Sequence, residues 1–261
     1  MSGILALSHD VDDIHKRRRQ LVSLYKAHKG NFDSADFIKK ILKGHHNWFH
    51  LDMVTDLESD FGVKSTVFFM VDGSRYSIDD KLKDYIQELD SKGWEIGVHG
   101  SIESSNSQDT IKKEKEILEH IVGHKIHGIR QHYLKLTEKT WSFQKSGGFA
   151  YDSSVGNAHN ITLDQPFYPL EKFMVLPINA MDTFMFENVY MGLSLDKAKS
   201  KILSSLQQVT KNNLIFTIDI HQDWLIFRRE MELYRYVLQN ASDLGIAMWP
   251  LKDVVSSLDT S

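Results

Sequence analysis

The chain has 261 residues, 41% hydrophobic and 25% charged, and its formal net charge of −4 gives no electrostatic reason to expect nucleic acid as a partner. It contains no cysteine, which excludes disulfide frameworks and thiolate metal sites. No apolar run approaches the length that spans a bilayer, and the stretch behind Met1 is too short and lacks the basic flank of a signal peptide, so the expected location is the cytoplasm.

Strand and helix patterns then alternate along the chain. The apolar run Ile4-Leu5-Ala6-Leu7 reads as a buried strand that runs directly into Ser8-His9-Asp10-Val11-Asp12-Asp13. Helical patterns follow over 14–28, 34–42 and 48–61, the last ending at Gly62 as a C-cap glycine would. The basic run at 16–19 reads as a solvated helix face or an anion contact near a site. β-branched and aromatic residues make 64–71 a strand, 78–92 a helix stopped by Gly93, and 94–99 a strand. A helix over 109–122, a short strand over 128–130 and a helix over 136–144 come next. Residues 151–168 lose all periodicity and read as a long functional loop. The remaining elements are strands at 173–176, 214–221 and 246–249, and helices at 195–210 and 231–242. This order predicts an α/β protein with a parallel sheet, and no linker or repeat divides it, so residues 1–261 read as one domain.

Chemistry-bearing residues recur at strand C-termini. Asp10 and Asp12 follow the first strand, His99 the third, Arg130 the fourth, and His221 the strand at 214–221. In an α/β barrel these ends meet at one mouth, where active sites are built. Carboxylates two residues apart can share a metal, or divide base and ligand roles between them. Each residue also has a plainer reading: an acidic helix cap, a satisfied core histidine, or a countercharge for the carboxylates.

Five segments carry a closer likeness: Ser8-His9-Asp10-Val11-Asp12, Trp94 to Ser101, Gly128-Ile129-Arg130-Gln131-His132-Tyr133, Tyr151-Asp152-Ser153-Ser154, and Ile218-Asp219-Ile220-His221. In that order, over about residues 4–251, the chain resembles the polysaccharide deacetylases, the fourth family of carbohydrate esterases. That resemblance implies a distorted parallel (β/α) barrel and a metal-dependent hydrolase that removes an acetyl or formyl group from an acylated sugar. It implies Asp10 as general base, Asp12 and His99 as metal ligands, Arg130 as the group that orients Asp10, and His221 as general acid. A backbone N–H near Tyr133 would hold the oxyanion.

One position departs from the pattern. The family's second histidine falls at 103, and this chain has Glu103 there. Two carboxylates and one imidazole still make a workable site for one divalent metal, and they shift the expectation from zinc towards manganese, cobalt or iron. The alternatives are that Ser101, Ser104, Ser105 or His132 completes the sphere, or that no metal binds. His132, Tyr133 and Trp224 are the candidate substrate contacts, Trp224 as a stacking face for a sugar. Alternation places Asp219 beside His221, as a support for its imidazole, and Asp182 is a further residue able to reach the mouth. His45, His46 and His50 read as surface or packing histidines. Two rival functions remain: a binding module on a decayed deacetylase fold, and an amidase for small non-sugar amides.

Overall fold

The computed structural model describes residues 3–14, 51–224 and 227–259. Apart from Ile14, the helices expected over 14–28 and 34–42 lie outside these residues, as do the basic run at 16–19 and His45, His46 and His50.

Strand β1 (Ile4–Val11) is buried along its whole length. After it come α1 (Leu51–Asp60), β2 (Thr66–Phe69), α2 (Asp80–Ser91), β3 (Glu95–Gly100), α3 (Gln108–Val122), β4 (Gly128–Gln131), α4 (Thr140–Ser146) and β5 (Tyr151–Asp152). The second half contains β6 (Phe167–Leu170), β7 (Phe173–Val175), β8 (Ala180–Met181), α5 (Asp182–Phe186), α6 (Leu195–Asn212), β9 (Ile215–Asp219), α7 (Arg228–Asp243), β10 (Ala247–Trp249) and α8 (Leu251–Asp259). The helix ends follow local chemistry. The Asp79 and Ser107 side chains cap α2 and α3 by accepting from the N–H groups of Leu82 and Thr110, and α3 stops at the left-handed Gly123.

The strands form one curled sheet in the order β6-β7-β5-β4-β3-β2-β1-β9-β8. Every pairing is parallel except β6 with β7. β1 is central. It pairs with β9 along one edge and, on the other, with β10 at Ile4–Ala6 and β2 at Ser8–Val11. Between β7 and β8 the chain itself crosses the gap in the ring, because Leu176 N–H still bonds Asp152 O while Asn179 N–H already bonds Thr217 O. The architecture is thus the expected distorted, mostly parallel α/β barrel.

Side-chain alternation along the strands sorts the apolar residues into two cores. Leu5, Leu7, Val67, Phe69, Val98, Phe216 and Ile218 face outward to the helices. Ile4, Ala6, Phe68, Tyr151, Met174 and Ile215 fill the barrel, whose lower end is closed by Leu251, Val254 and Val255 of α8. At that end the Glu95 carboxylate accepts from Lys252 N–H at 2.8 Å and from Tyr151 Oη at 2.9 Å, which fastens the start of α8 to the barrel. α8 lies beyond the last element read from the sequence, although Leu251, Val254, Val255 and Leu258 fall at helical spacing on one face; nine residues alone make only a marginal helix. The barrel end supplies the packing that holds it. Residues 151–168 also contain β5 and the start of β6, which are too short to show a pattern in sequence.

Candidate active site

Period-two alternation puts Ser8, Asp10 and Asp12 on the inner face of β1 and its extension, and turns His9 outward. His9 bonds Glu58 at 2.9 Å in a fully buried pair behind the sheet. Register sets the rest: β1 pairs Ser8 with Asp219, and β3 pairs His99 beside Arg130.

Arg130 is completely buried, and all three of its nitrogens are engaged. Nη1 donates to Asp10 Oδ1 at 2.8 Å and to Asp219 Oδ1. Nη2 donates to Ser8 Oγ at 2.8 Å and Ser153 Oγ at 3.0 Å, and Nε donates to Ser153 O at 2.9 Å. The guanidinium lies 4.6 Å from the centroid of the Phe68 ring. That ring has its place because residue 97 is glycine; a Cβ there would come within 2.5 Å of it. The Tyr151–Ser154 segment is the far wall of this arrangement. Ser154 Oγ accepts from Gln131 N–H and donates to Asp152, which also accepts from Gln144 and Trp141.

Burial works against ionisation of Asp10, but Arg130, then His99 and His221, outweigh it and hold the carboxyl below its ordinary value. Asp219 behaves differently. Its burial, helped by Asp10 and opposed by Arg130, pushes it up to about 6, and its Oδ2 has no hydrogen-bond partner among the described residues.

Above this layer three ligand atoms converge. His99 Nε2 is 3.0 Å from Asp12 Oδ1 and 3.0 Å from His132 Nδ1, and His132 Nδ1 is 3.3 Å from Asp12 Oδ1. His99 Nδ1–H donates to Arg130 O at 3.0 Å, an acceptor with no proton to give, so in the neutral ring Nε2 is a bare lone pair. A bare nitrogen aimed at a carboxylate oxygen and a second imidazole needs a cation or a proton among them. Edges of about 3.0–3.4 Å are what three ligands about 2.1 Å from one ion would span. The residues therefore fit a divalent metal. Without one, burial opposes a proton on His99, but Asp10 and Asp12 raise its pKa above the ordinary imidazole value.

Glu103, expected to complete this set, lies outside it. The chain leaves β3 through a turn, and Glu103 is an exposed residue in front of the 3-10 turn Ser104–Asn106, on the wall of the neighbouring cleft. His132, two residues beyond Arg130, takes the third position instead. A second group, Asp10, Asp219 and His221, is also close enough to hold an ion, but Arg130 already lies between its two carboxylates.

His221 sits opposite, its Nε2 3.9 Å from Asp12 Oδ2. Its Nδ1 bonds Asp182 Oδ1 at 2.6 Å and its backbone N–H bonds Asp182 Oδ2 at 2.8 Å. Asp219, the support expected from alternation, is 3.7 Å away and committed to Arg130. Asp182 reaches this position because β8 pairs Met181 with Asp219. Burial works against a charged imidazole, but Asp182, then Asp219 and Asp12, raise His221 well above its ordinary value.

Asp10, Asp12, His99, His132 and His221 line a pocket of about 330 Å³ that Trp224, Tyr190 and Phe184 also border. Tyr133 stands at its rim, 69% exposed, and both Tyr133 and Leu134 have left-handed backbone, with φ of 56° and 51°. Two such residues in succession store strain beside a candidate ligand, as functional sites do.

The curled, mostly parallel sheet with its polar cluster at the strand C-termini matches the barrel of solved structures that are named polysaccharide deacetylases. Similar solved structures are a putative polysaccharide deacetylase from Mycobacterium smegmatis (16% identical, TM-score 0.66, covering 100% of this chain and 92% of that one), PuuE allantoinase (14%, 0.68, 98% and 90%) and a probable polysaccharide deacetylase from Pseudomonas aeruginosa PAO1 (14%, 0.66, 98% and 91%). At these identities the likeness establishes the fold. No family model matches the chain, and no curated protein matches its sequence. Among the described residues, no helix is long and apolar enough to cross a membrane.

Proposed function

We propose that this protein hydrolyses the acyl bond of an N-acylated sugar, using one divalent metal held by Asp12, His99 and His132. The observation that carries this reading is the convergence of those three ligand atoms between an arginine-held carboxylate and a carboxylate-held imidazole. When bound, the metal polarises the acyl carbonyl and acidifies water.

Asp10 takes the proton from the attacking water. Its low pKa keeps it ionised, and Arg130 fixes its orientation. The Tyr133 N–H is the proposed oxyanion donor, a role that suits the strained backbone after His132. His221, kept protonated by Asp182, gives its proton to the departing amine, which leaves poorly as an anion. No side-chain nucleophile is required. Trp224 and Tyr133 form the proposed substrate wall, with the apolar faces that sugars stack on, and His132, expected to touch substrate, serves the metal instead.

Likeness to the allantoinase favours a second reading, a C–N hydrolase of small non-sugar amides. The binding-module reading loses its motive, because His132 offers the imidazole that Glu103 lacks.

The test is metal analysis combined with acetate and formate release from a panel of N-acylated sugars and simple amides. Near-stoichiometric metal and release from sugars support the proposal. Release from non-sugar amides alone transfers it to the second reading. A metal-free protein that binds sugar without turnover refutes both.

A further inference from the structure

The active-site pocket opens into a second, larger cleft of about 730 Å³, and Arg75, His132 and Tyr133 belong to the walls of both. Three loops at the strand C-termini build this cleft. The β2–α2 loop brings Ser74 and Arg75, the β3–α3 loop Glu103 and Asn106, and the β4–α4 loop Tyr133 and Lys135.

Arg75 is exposed on the cleft wall. Its Nε donates to the backbone O of Asp12 at 3.4 Å, and it forms no ion pair with any described residue. The nearest acidic residue in its own loop, Asp72, turns its Oδ1 back to Ser74 N–H at 3.1 Å and Ser74 Oγ at 2.9 Å. Lys135 is likewise exposed on the cleft without an ion pair among the described residues, and Glu103 is the cleft's other carboxylate. With its one long contact made through Nε, the guanidinium presents its two outer nitrogens as a planar fork, the geometry that binds an oxyanion bidentately. A neutral glycan offers such a cation hydroxyl acceptors but no countercharge.

We infer that the cleft binds an oxyanion, a phosphate or a carboxylate, carried by the acylated sugar, with Arg75 as the primary contact and Lys135 as the second. This rests on the sugar-hydrolase reading and specifies its substrate class: the acyl group enters the inner pocket while the charged end lies against Arg75.

The experiment is calorimetric binding to full-length Asp10→Asn protein, in which turnover is blocked. Three probes are compared: N-acetylglucosamine 1-phosphate, N-acetylglucosaminuronic acid and the neutral methyl N-acetylglucosaminide. At least one charged probe should bind about tenfold or more tighter than the neutral one, as a charge-assisted bidentate contact would provide. The preference should fade between about 0.05 and about 0.5 M salt. Arg75→Ala in the same background should abolish it, and Arg75→Lys should retain part of it. The tighter charged probe identifies the phosphate or the carboxylate as the natural group. Equal binding of all three, an equal loss for all three on Arg75→Ala, or no binding at all overturns the inference. If the preference holds but wild-type protein releases no acyl group from the favoured probe, the hydrolase reading fails and the anion site stands.

Discussion

Asp182→Asn is the sharpest test of the acid assigned to His221. The wild-type carboxylate makes two contacts with that residue, 2.6 Å to the ring nitrogen and 2.8 Å to the backbone N–H, and its Oδ1 also accepts from Thr183 N–H at 2.6 Å. All three partners are donors. An amide has one acceptor and one donor end, so in either orientation the substituted side chain sets its NH₂ against an N–H. The negative charge that keeps the buried imidazole protonated disappears at the same time. Losing one buried charge-assisted hydrogen bond costs about 1.5–3 kcal/mol, equivalent to roughly 10- to 150-fold in kcat. The pH dependence gives a signature that misfolding would not. In the wild type His221 is raised well above the ordinary imidazole value, so the basic limb of the rate profile lies above that range. Without the Asp182 charge the pKa drops and the basic limb moves to lower pH, while the acidic limb, set by Asp10, stays in place. Acetate release across pH, with metal content as control, reads both. A variant with unchanged kcat and an unmoved basic limb would show that His221 is not the acid, or that Asp182 does not sustain it.

Three further outcomes follow from the same geometry. His132→Ala should remove stoichiometric metal on elemental analysis, whereas Glu103→Ala should leave it bound; the reverse result would return the third ligand to Glu103. Arg130→Lys keeps the charge but cannot reach Asp10, Asp219, Ser8 and Ser153 together, so the acidic limb should move up as Asp10 loses its support, and the melting temperature should fall. Glu114 is buried behind the site against Ser101 N–H, and burial pushes its pKa from 4.5 up to about 7. The folded state therefore holds more protons than the unfolded one between those values, and stability falls as pH rises through that window. Glu114→Gln should flatten the dependence and be more stable than wild type above pH 7, by at most about 3 kcal/mol in denaturant titrations. Equal slopes for the two proteins would refute that assignment.

The strand-end residues are legible in the sequence because a parallel strand advertises itself: an apolar run, then an abrupt polar residue. Asp10, Asp12, His99, Arg130 and His221 all meet that description, and the structure gathers them at one mouth. Glu103 follows only from counting four residues on from His99, a spacing that shares a face in a helix, and the chain there is a turn. His132 carries a usable signal, since 128, 130 and 132 alternate along β4 and its continuation. Asp182 carries almost none. Its place beside His221 depends on β8 pairing with β9 across a separation of 38 residues, and nothing local records that register.

The Ser8–Arg130–Asp219 layer divides the barrel lumen into two compartments. Below it Ala6, Phe68, Tyr151 and Met174 pack a filled shaft, and above it the proposed chemistry lines the pocket. Random mutagenesis of the inward-facing positions should therefore yield two phenotypes separated by a sharp boundary. Lesions in the shaft would lower the yield of folded protein while each surviving molecule kept its full turnover. Lesions above the boundary would leave abundance intact and abolish turnover. Arg130, with Phe68 beneath it and Asp10 above, is the position where the two phenotypes coincide.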